Sequence, residues 1–272
     1  MSVALTILGC GSSGGVPRVA QGWGDCDPRN PRNSRRRCSV LLENSGADGK
    51  TLVLVDTSPD LRRQLIDAEV AHLDGVLMTH PHADHTHGID DLRPLAIAMH
   101  KRIEMHMDAA TSASVRVKFS YVFESPAGSS YPPILRERRL VAGEPCVILG
   151  AGGPIEAVPF ELEHGDISAL GFRIGALAYT PDLNGIPDTS LKFLEGLDVW
   201  IIDALRYARH PSHLSLDEAL AWIERMRPRR AILTNLHTDL DYETLRRRLP
   251  ETIVPAYDGM QVEGFGPGSA AT

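Results

Sequence analysis

The 272-residue chain has little cysteine and no excess of positive charge. Its four cysteines, Cys10, Cys26, Cys38 and Cys146, are widely and irregularly spaced. That spacing speaks against a disulfide framework and suits the reduced thiols of a cytoplasmic protein. Lysine and arginine number 28 against 35 aspartates and glutamates, a net charge of −7. This balance argues against a nucleic-acid partner, whose binding proteins usually carry a basic face. A small anionic substrate stays open, because a local site can be positive in an acidic chain. No apolar run approaches the roughly 20 residues that cross a bilayer, so no membrane partner is expected. The opening stretch lacks the basic start and the length of a signal sequence, which again places the protein in the cytoplasm. Apolar residues make up 43%, enough for a core, so the chain is neither disordered nor fibrous.

What the chain does have is an alternation of strand and helix signals. Residues 3–8 read as a strand that runs into a glycine-rich loop, GCGSSGG, at residues 9–15. Residues 17–37 read as a long irregular loop, and the run Arg35-Arg36-Arg37 as a solvated charged face. Residues 39–43 and 51–55 form a hairpin pattern. Ser58-Pro59-Asp60 has the form of a cap with proline at the first helical position. A short strand at 74–79 precedes a helical pattern at 90–99. Residues 108–125 carry an amphipathic pattern (Val115, Val117, Phe119, Val122, Phe123), and the stretch 108–133 reads as a cap or lid inserted in a single domain. Beyond residue 139, strands at 146–149, 155–163, 170–174 and 176–180 lead into strand–helix alternation. Strands in blocks, each block closing with such alternation, predict two sheets with helices outside, an α+β or α/β fold. The tail from residue 264 reads as frayed.

The strongest chemical signal is Thr79-His80-Pro81-His82-Ala83-Asp84-His85. Three histidines and an aspartate fall within six residues, just after an apolar strand. The strand end holds its side chains rigidly, and the following turn lets alternate residues converge. Imidazole and carboxylate suit zinc, manganese or ferrous iron. Further candidates follow other strand-like runs: His164, Asp182 and His237. Each should therefore lie at a strand end, on one rim.

This constellation resembles the metallo-β-lactamase superfamily. Its H-x-H-x-D-H motif matches His80, His82, Asp84 and His85, and its later ligands match His164, Asp182 and His237. Asp56, the acidic residue closing an early strand, matches the group that orients the histidine loop from behind. The resemblance implies a four-layer αββα sandwich, two mixed sheets flanked by helices, with two divalent metal ions at one edge: zinc or manganese, iron also being compatible. It assigns His80, His82 and His164 to one ion and Asp84, His85 and His237 to the other, with Asp182 bridging. Asn235 stands where some relatives place histidine.

The opening Gly9–Pro17, together with Asp203-Ala204-Leu205-Arg206 and His213-Leu214-Ser215, looks like the phosphodiesterase branch of that superfamily. Members include the phosphoribosyl 1,2-cyclic phosphate phosphodiesterase and the Z-type ribonucleases. The early loop has one cysteine, Cys26, where the first of these has a cysteine-rich zinc loop, so a structural zinc is not carried over. The expected activity is hydrolysis of a small cyclic or nucleotide-like phosphodiester, with Asp84 on the metal, His213 protonating the leaving group and Asp203 orienting it. Ser12, Ser13 and Gly14 would offer the substrate backbone N–H groups, and Arg206 a cation. Other readings on the same fold are a thioester or lactone hydrolase and a transfer-RNA 3′-processing ribonuclease. An iron oxidoreductase is the reading outside hydrolysis. A homodimer is compatible with the sequence.

Overall fold

The computed structural model describes residues 3–263, so the tail from residue 264 lies outside the described residues. The first sheet is built from β1 (Val3–Gly9), β2 (Ser39–Gly46), β3 (Gly49–Val55), β4 (Gly75–Leu77), β5 (Ile103–Met107) and β6 (Leu135–Arg139). The second holds β7 (Cys146–Ile148), β8 (Ile155–His164), β9 (Ile167–Ile174), β10 (Leu177–Thr180), β11 (Val199–Asp203), β12 (Arg230–Thr234) and β13 (Ile253–Pro255). A short β14 (Gln261–Val262) returns to pair with β1. In the first sheet β14 and β1 to β3 run antiparallel to their neighbours, and β3 to β6 are parallel. The second sheet repeats the scheme, antiparallel from β7 to β10 and parallel from β10 to β13.

Side-chain alternation along the strands builds the layers. Leu5, Ile7, Val40, Leu42, Val53 and Val55 join Phe172, Ile174, Tyr179 and Ile201 in a core between the two sheets. The opposite faces of the same strands, with Leu41, Leu52 and Leu54, pack under α1 (Leu61–Asp67). The second sheet's outer face buries Trp200, Ile202 and Leu233 against α5 (Leu216–Met226) and its neighbours. The result is a four-layer αββα sandwich of two seven-stranded sheets.

Between these elements lie α2 (Ala83–Thr86), α3 (Arg93–Ala98) and α4 (Ala109–Phe119), and after β12 comes α6 (Tyr242–Arg248). The stretch 108–133 packs Val115, Val122 and Phe123 into the helix-side core of the first sheet. Lys118 Nζ donates to Pro81 O at 2.9 Å, tying α4 to the histidine loop. Val117, read as part of the apolar face, is instead 86% exposed.

The expectation of a solvated Arg35–Arg37 face is corrected. Arg35 is buried and donates to His237 O, Leu240 O and Asn33 Oδ1 at 3.2, 2.7 and 3.2 Å. Arg36 pairs with Asp67 and Asp258, and Arg37 with Asp60. Carbonyls of a distant loop and three acids claim these cations, and nothing in the local sequence shows it.

Candidate active site

Every group in question sits at one edge of the sandwich because the strands end there together. The glycine loop follows β1, Asp56 follows β3, and the histidine loop follows β4. His164 ends β8, Asp182 lies just past β10, Asp203 ends β11 and Asn235 follows β12. Across the edge, His80 Nε2 lies 3.0 Å from His82 Nδ1, which is 3.1 Å from His164 Nε2. A second group joins His80, His85 and Asp182, and a third His164, Asp182 and His213. His85 Nε2 lies 3.2 Å from Asp182 Oδ1 and 3.5 Å from Asp84 Oδ2.

Hydrogen bonds behind the cluster fix which ring nitrogens face it. Asp56 is fully buried and has a left-handed backbone (φ 64°), which turns its carboxylate under the histidine loop. It accepts from Thr79 N at 2.8 Å, from Thr79 Oγ1 at 2.8 Å and from His85 Nδ1 at 2.7 Å. A carboxylate only accepts, so the Thr79 hydroxyl gives its proton to Asp56. It must then accept from His80 Nδ1, 2.9 Å away. His164 Nδ1 donates to Ser212 O at 2.6 Å. In His80 and His164 the Nε2 lone pair is thus directed into the cluster, and the bond to Asp56 turns His85 Nε2 toward it as well, the orientation a metal ligand needs.

The donor set fits a divalent metal. Burial, joined by the neighbouring histidines, pushes His80 well below the usual histidine pKa, and burial lowers His82 and His164 as well, so these rings are neutral, the form in which imidazole can bind a metal. Burial opposes charge on Asp182, yet His85 beside it holds the carboxyl well below the usual range. Asp182 Oδ1 is buried with no hydrogen-bond partner, a position that a cation would satisfy.

His213 lies beside this cluster, its Nδ1 2.9 Å from Asp203 Oδ2 and 3.8 Å from Asp182 Oδ2. Burial opposes its charge, but Asp203 more than compensates and raises its pKa to about 9. Burial in turn raises Asp203 to about 7. The segment 213–215 is set by a capping box, in which the Ser215 side chain and Glu218 at the start of α5 exchange hydrogen bonds.

The structure does not bring His237 into these groups. Its Nε2 meets the Arg18 guanidinium, and its Nδ1 faces Thr238 Oγ1 at 3.1 Å. Asn235 (φ 60°) is buried instead, and its Nδ2 donates to Asp203 Oδ1 at 3.2 Å and lies 3.0 Å from His213 Nδ1. Of the glycine-loop residues, Ser12 is buried and Ser13 exposed, and Gly15 N donates to Ser12 O at 2.7 Å to close the turn. Arg206 is half-buried and held by Ala208 O and Arg209 O. Thr79, Ser212 and Arg18 are roles that sequence reasoning missed, since they act through contacts no motif encodes.

This edge-bound His/Asp cluster on a two-sheet sandwich defines a metallo-β-lactamase-fold hydrolase. Residues 51–235 match the β-lactamase superfamily domain, and the chain belongs to that family. It is similar to a solved diphosphatase of the PhnP family, with 33% identity, a TM-score of 0.86 and 97% of each chain covered. It is 31% identical over 260 residues to an octanoyltransferase of Porphyromonas gingivalis, covering 94% of this chain and 50% of that one. Over 204 residues it is 26% identical to coenzyme PQQ synthesis protein B of Bradyrhizobium diazoefficiens, covering 62% of this chain and 61% of that one. The chain thus spans about half to three fifths of the length of these two relatives. No helix among the described residues is long and apolar enough to cross a membrane.

Proposed function

We propose that the protein is a metal-dependent hydrolase of phosphorus–oxygen bonds, acting on a small cyclic or nucleotide-like phosphodiester. One observation carries the reading: the His213–Asp203 pair, 2.9 Å apart, stands beside a convergent set of His and Asp donors. The 33% identity to a diphosphatase supports phosphoryl chemistry.

His80, His82 and His164 would hold one ion and Asp84 and His85 another, with Asp182 between them. Zinc and manganese both suit these donors, and iron is compatible. Two such ions supply Lewis acidity and a water acidified toward neutrality. The chain's own groups complete the chemistry. Asp56 and Thr79 lock the ligand tautomers. His213 is an imidazolium at neutral pH, and its Nε2 can hand a proton to the departing alkoxide. Asp203 holds that ring by Nδ1 and stabilises its charge. The Ser12–Gly15 turn, with Ser13 and Gly14, can offer N–H groups to a phosphate oxygen, and Arg206 adds a cation at the rim.

The test is a rate comparison on protein reconstituted with Mn²⁺ or Zn²⁺. Bis(p-nitrophenyl) phosphate, p-nitrophenyl phosphate and an acyl thioester are offered in parallel. Turnover of the diester alone is the expected result. Turnover of the thioester alone would replace this reading with acyl chemistry, and a silent panel would refute it.

A further inference from the structure

We propose that His210 touches the leaving group of the substrate and donates a hydrogen bond from its Nε2–H to an oxygen there. This rests on the phosphodiesterase reading and deepens it. The leaving group is an alcohol that carries a further oxygen acceptor near the scissile bond, as a sugar does.

The run His210-Pro211-Ser212-His213 sets two histidines three residues apart around a proline. Proline fixes its own φ and holds the residue before it extended, so the segment is stiff. Its carbonyls are also tied down. Ser212 O accepts from His164 Nδ1 at 2.6 Å, and Pro211 O accepts from Asn184 Nδ2 at 3.0 Å. Asn184 Oδ1 in turn accepts from Gly165 N at 2.9 Å. Gly165 (φ 59°) leaves room for this approach, since a Cβ there would come within 2.9 Å of the Ser212 side chain. The segment is thus fastened to His164 and the residue after it.

The His210 ring has one defined tautomer. Ser212 N lies 3.3 Å from His210 Nδ1. A backbone N–H only donates, so Nδ1 carries the lone pair and Nε2 the proton. Burial lowers the pKa of the ring, and His213, Arg206 and His237 beside it act in the same direction. None of these neighbours is an acid. His213 differs, because Asp203 holds its Nδ1 and keeps it charged. His210 is half-buried, and its hydrogen bonds among the described residues are those of Nδ1 with Ser212. The Nε2–H is a neutral donor without a protein partner, on a ring that is held in place.

The position of the ring selects its partner. The His213 ring lies 4.8 Å from that of the buried His164 and 5.1 Å from that of His210. His213 passes its proton to the departing oxygen, so His210, at the rim beside it, meets the atoms next beyond that oxygen. A neutral N–H there moves no proton. It separates leaving groups that offer an acceptor from those that leave it unpaired.

Two cyclic phosphates with the same six-membered ring test this on Mn²⁺-loaded protein. In adenosine 3′,5′-cyclic phosphate the departing alkoxide belongs to a ribose. In trimethylene phosphate it sits on a bare hydrocarbon chain. H210F keeps a flat ring without the donor, and H210Q returns an N–H near the position of Nε2. On the nucleotide H210F should lose about 3- to 10-fold in kcat/KM, the net worth of one neutral hydrogen bond, and H210Q should recover part of it. On trimethylene phosphate both variants should match the wild type, with metal content unchanged throughout. Equal losses on the two substrates, or no loss on either, overturn the contact. Side-chain ¹⁵N–¹H spectra should show His210 as the Nε2–H tautomer, and an Nδ1–H form overturns it too. Bis(p-nitrophenyl) phosphate is the control: if it is not turned over, the phosphodiesterase reading fails by itself. If either cyclic phosphate is inert, calorimetry decides, with ribose 5-phosphate and propyl phosphate titrated into metal-loaded wild type and H210F. A preference for the ribosyl ester that H210F loses supports the contact, and an unchanged ratio of affinities overturns it.

Discussion

Replacing Asp56 with asparagine should loosen metal binding without unfolding the protein. The carboxylate receives three hydrogen bonds, at 2.8, 2.8 and 2.7 Å, from Thr79 N, Thr79 Oγ1 and His85 Nδ1. Asparagine keeps one oxygen for the Thr79 amide but turns an NH₂ toward Thr79 Oγ1 and His85 Nδ1. His85 Nδ1 must then accept, which puts its proton on Nε2, the atom that faces Asp182. The Thr79 hydroxyl likewise loses its acceptor, and the tautomer of His80 is no longer fixed. Losing such an outer partner typically lowers metal affinity about 10- to 100-fold, or roughly 1.4 to 2.7 kcal/mol. Alanine differs in kind. It leaves all three donors buried without an acceptor, at about 1–3 kcal/mol for each neutral one, so D56A should mainly lower stability. The assay is competition for Zn²⁺ against a chromogenic chelator, run beside a urea melt of each metal-free variant. If D56N binds zinc as tightly as the wild type with an unchanged melt, Asp56 does not set the ligand tautomers and the reasoning is wrong.

Three further outcomes are expected. D203N removes the charge that raises His213 to about 9. The imidazolium is the active form, so activity falls as pH rises through its pKa. The alkaline limb of the pH–rate profile should therefore move down toward about pH 6.5, and an unmoved limb would remove Asp203 from that role. R35M leaves the Leu240 carbonyl without its donor, while His237 O keeps Leu240 N and Asn33 Oδ1 keeps Tyr242 N, and should cost roughly 1–3 kcal/mol in a urea melt; a loss below about 0.5 kcal/mol, the level of a neutral surface change, would contradict its structural role. Cys146 is the least buried cysteine, yet burial and nearby Glu104 raise its pKa to about 11. Only the thiolate alkylates, so its rate with iodoacetamide should keep climbing from pH 8 to about pH 11, and a plateau near pH 9 would show an ordinary thiol.

The site was legible in the sequence because its centre is local. His80, His82, Asp84 and His85 need only one turn after a strand to converge, and six residues carry that pattern. The rest of the edge depends on strand ends meeting, which the apolar runs before His164, Asp182 and Asp203 announced. Contacts perpendicular to the chain were silent. The Asn235–His213 approach and the Arg18–His237 contact join residues 22 and 219 positions apart. β5 and β6 escaped notice for a different reason. Ile103–Met107 interrupts its apolar pattern with Glu104 and His106, and Leu135–Arg139 is mostly charged. β6 is the edge strand of its sheet, where charge guards against pairing with other chains.

The measurement that bears most directly on the account is a metal titration of wild type and D182N, with zinc content and diester turnover read on the same samples. Asp182 lies between both histidine groups, and its Oδ1 has no other partner. The account predicts that turnover in the wild type rises with bound metal. D182N, still folded by circular dichroism, should bind less metal and lose at least about 100-fold in rate, the scale of removing one preorganised electrostatic group from a reaction centre. Wild-type metal content and wild-type turnover in D182N would contradict it.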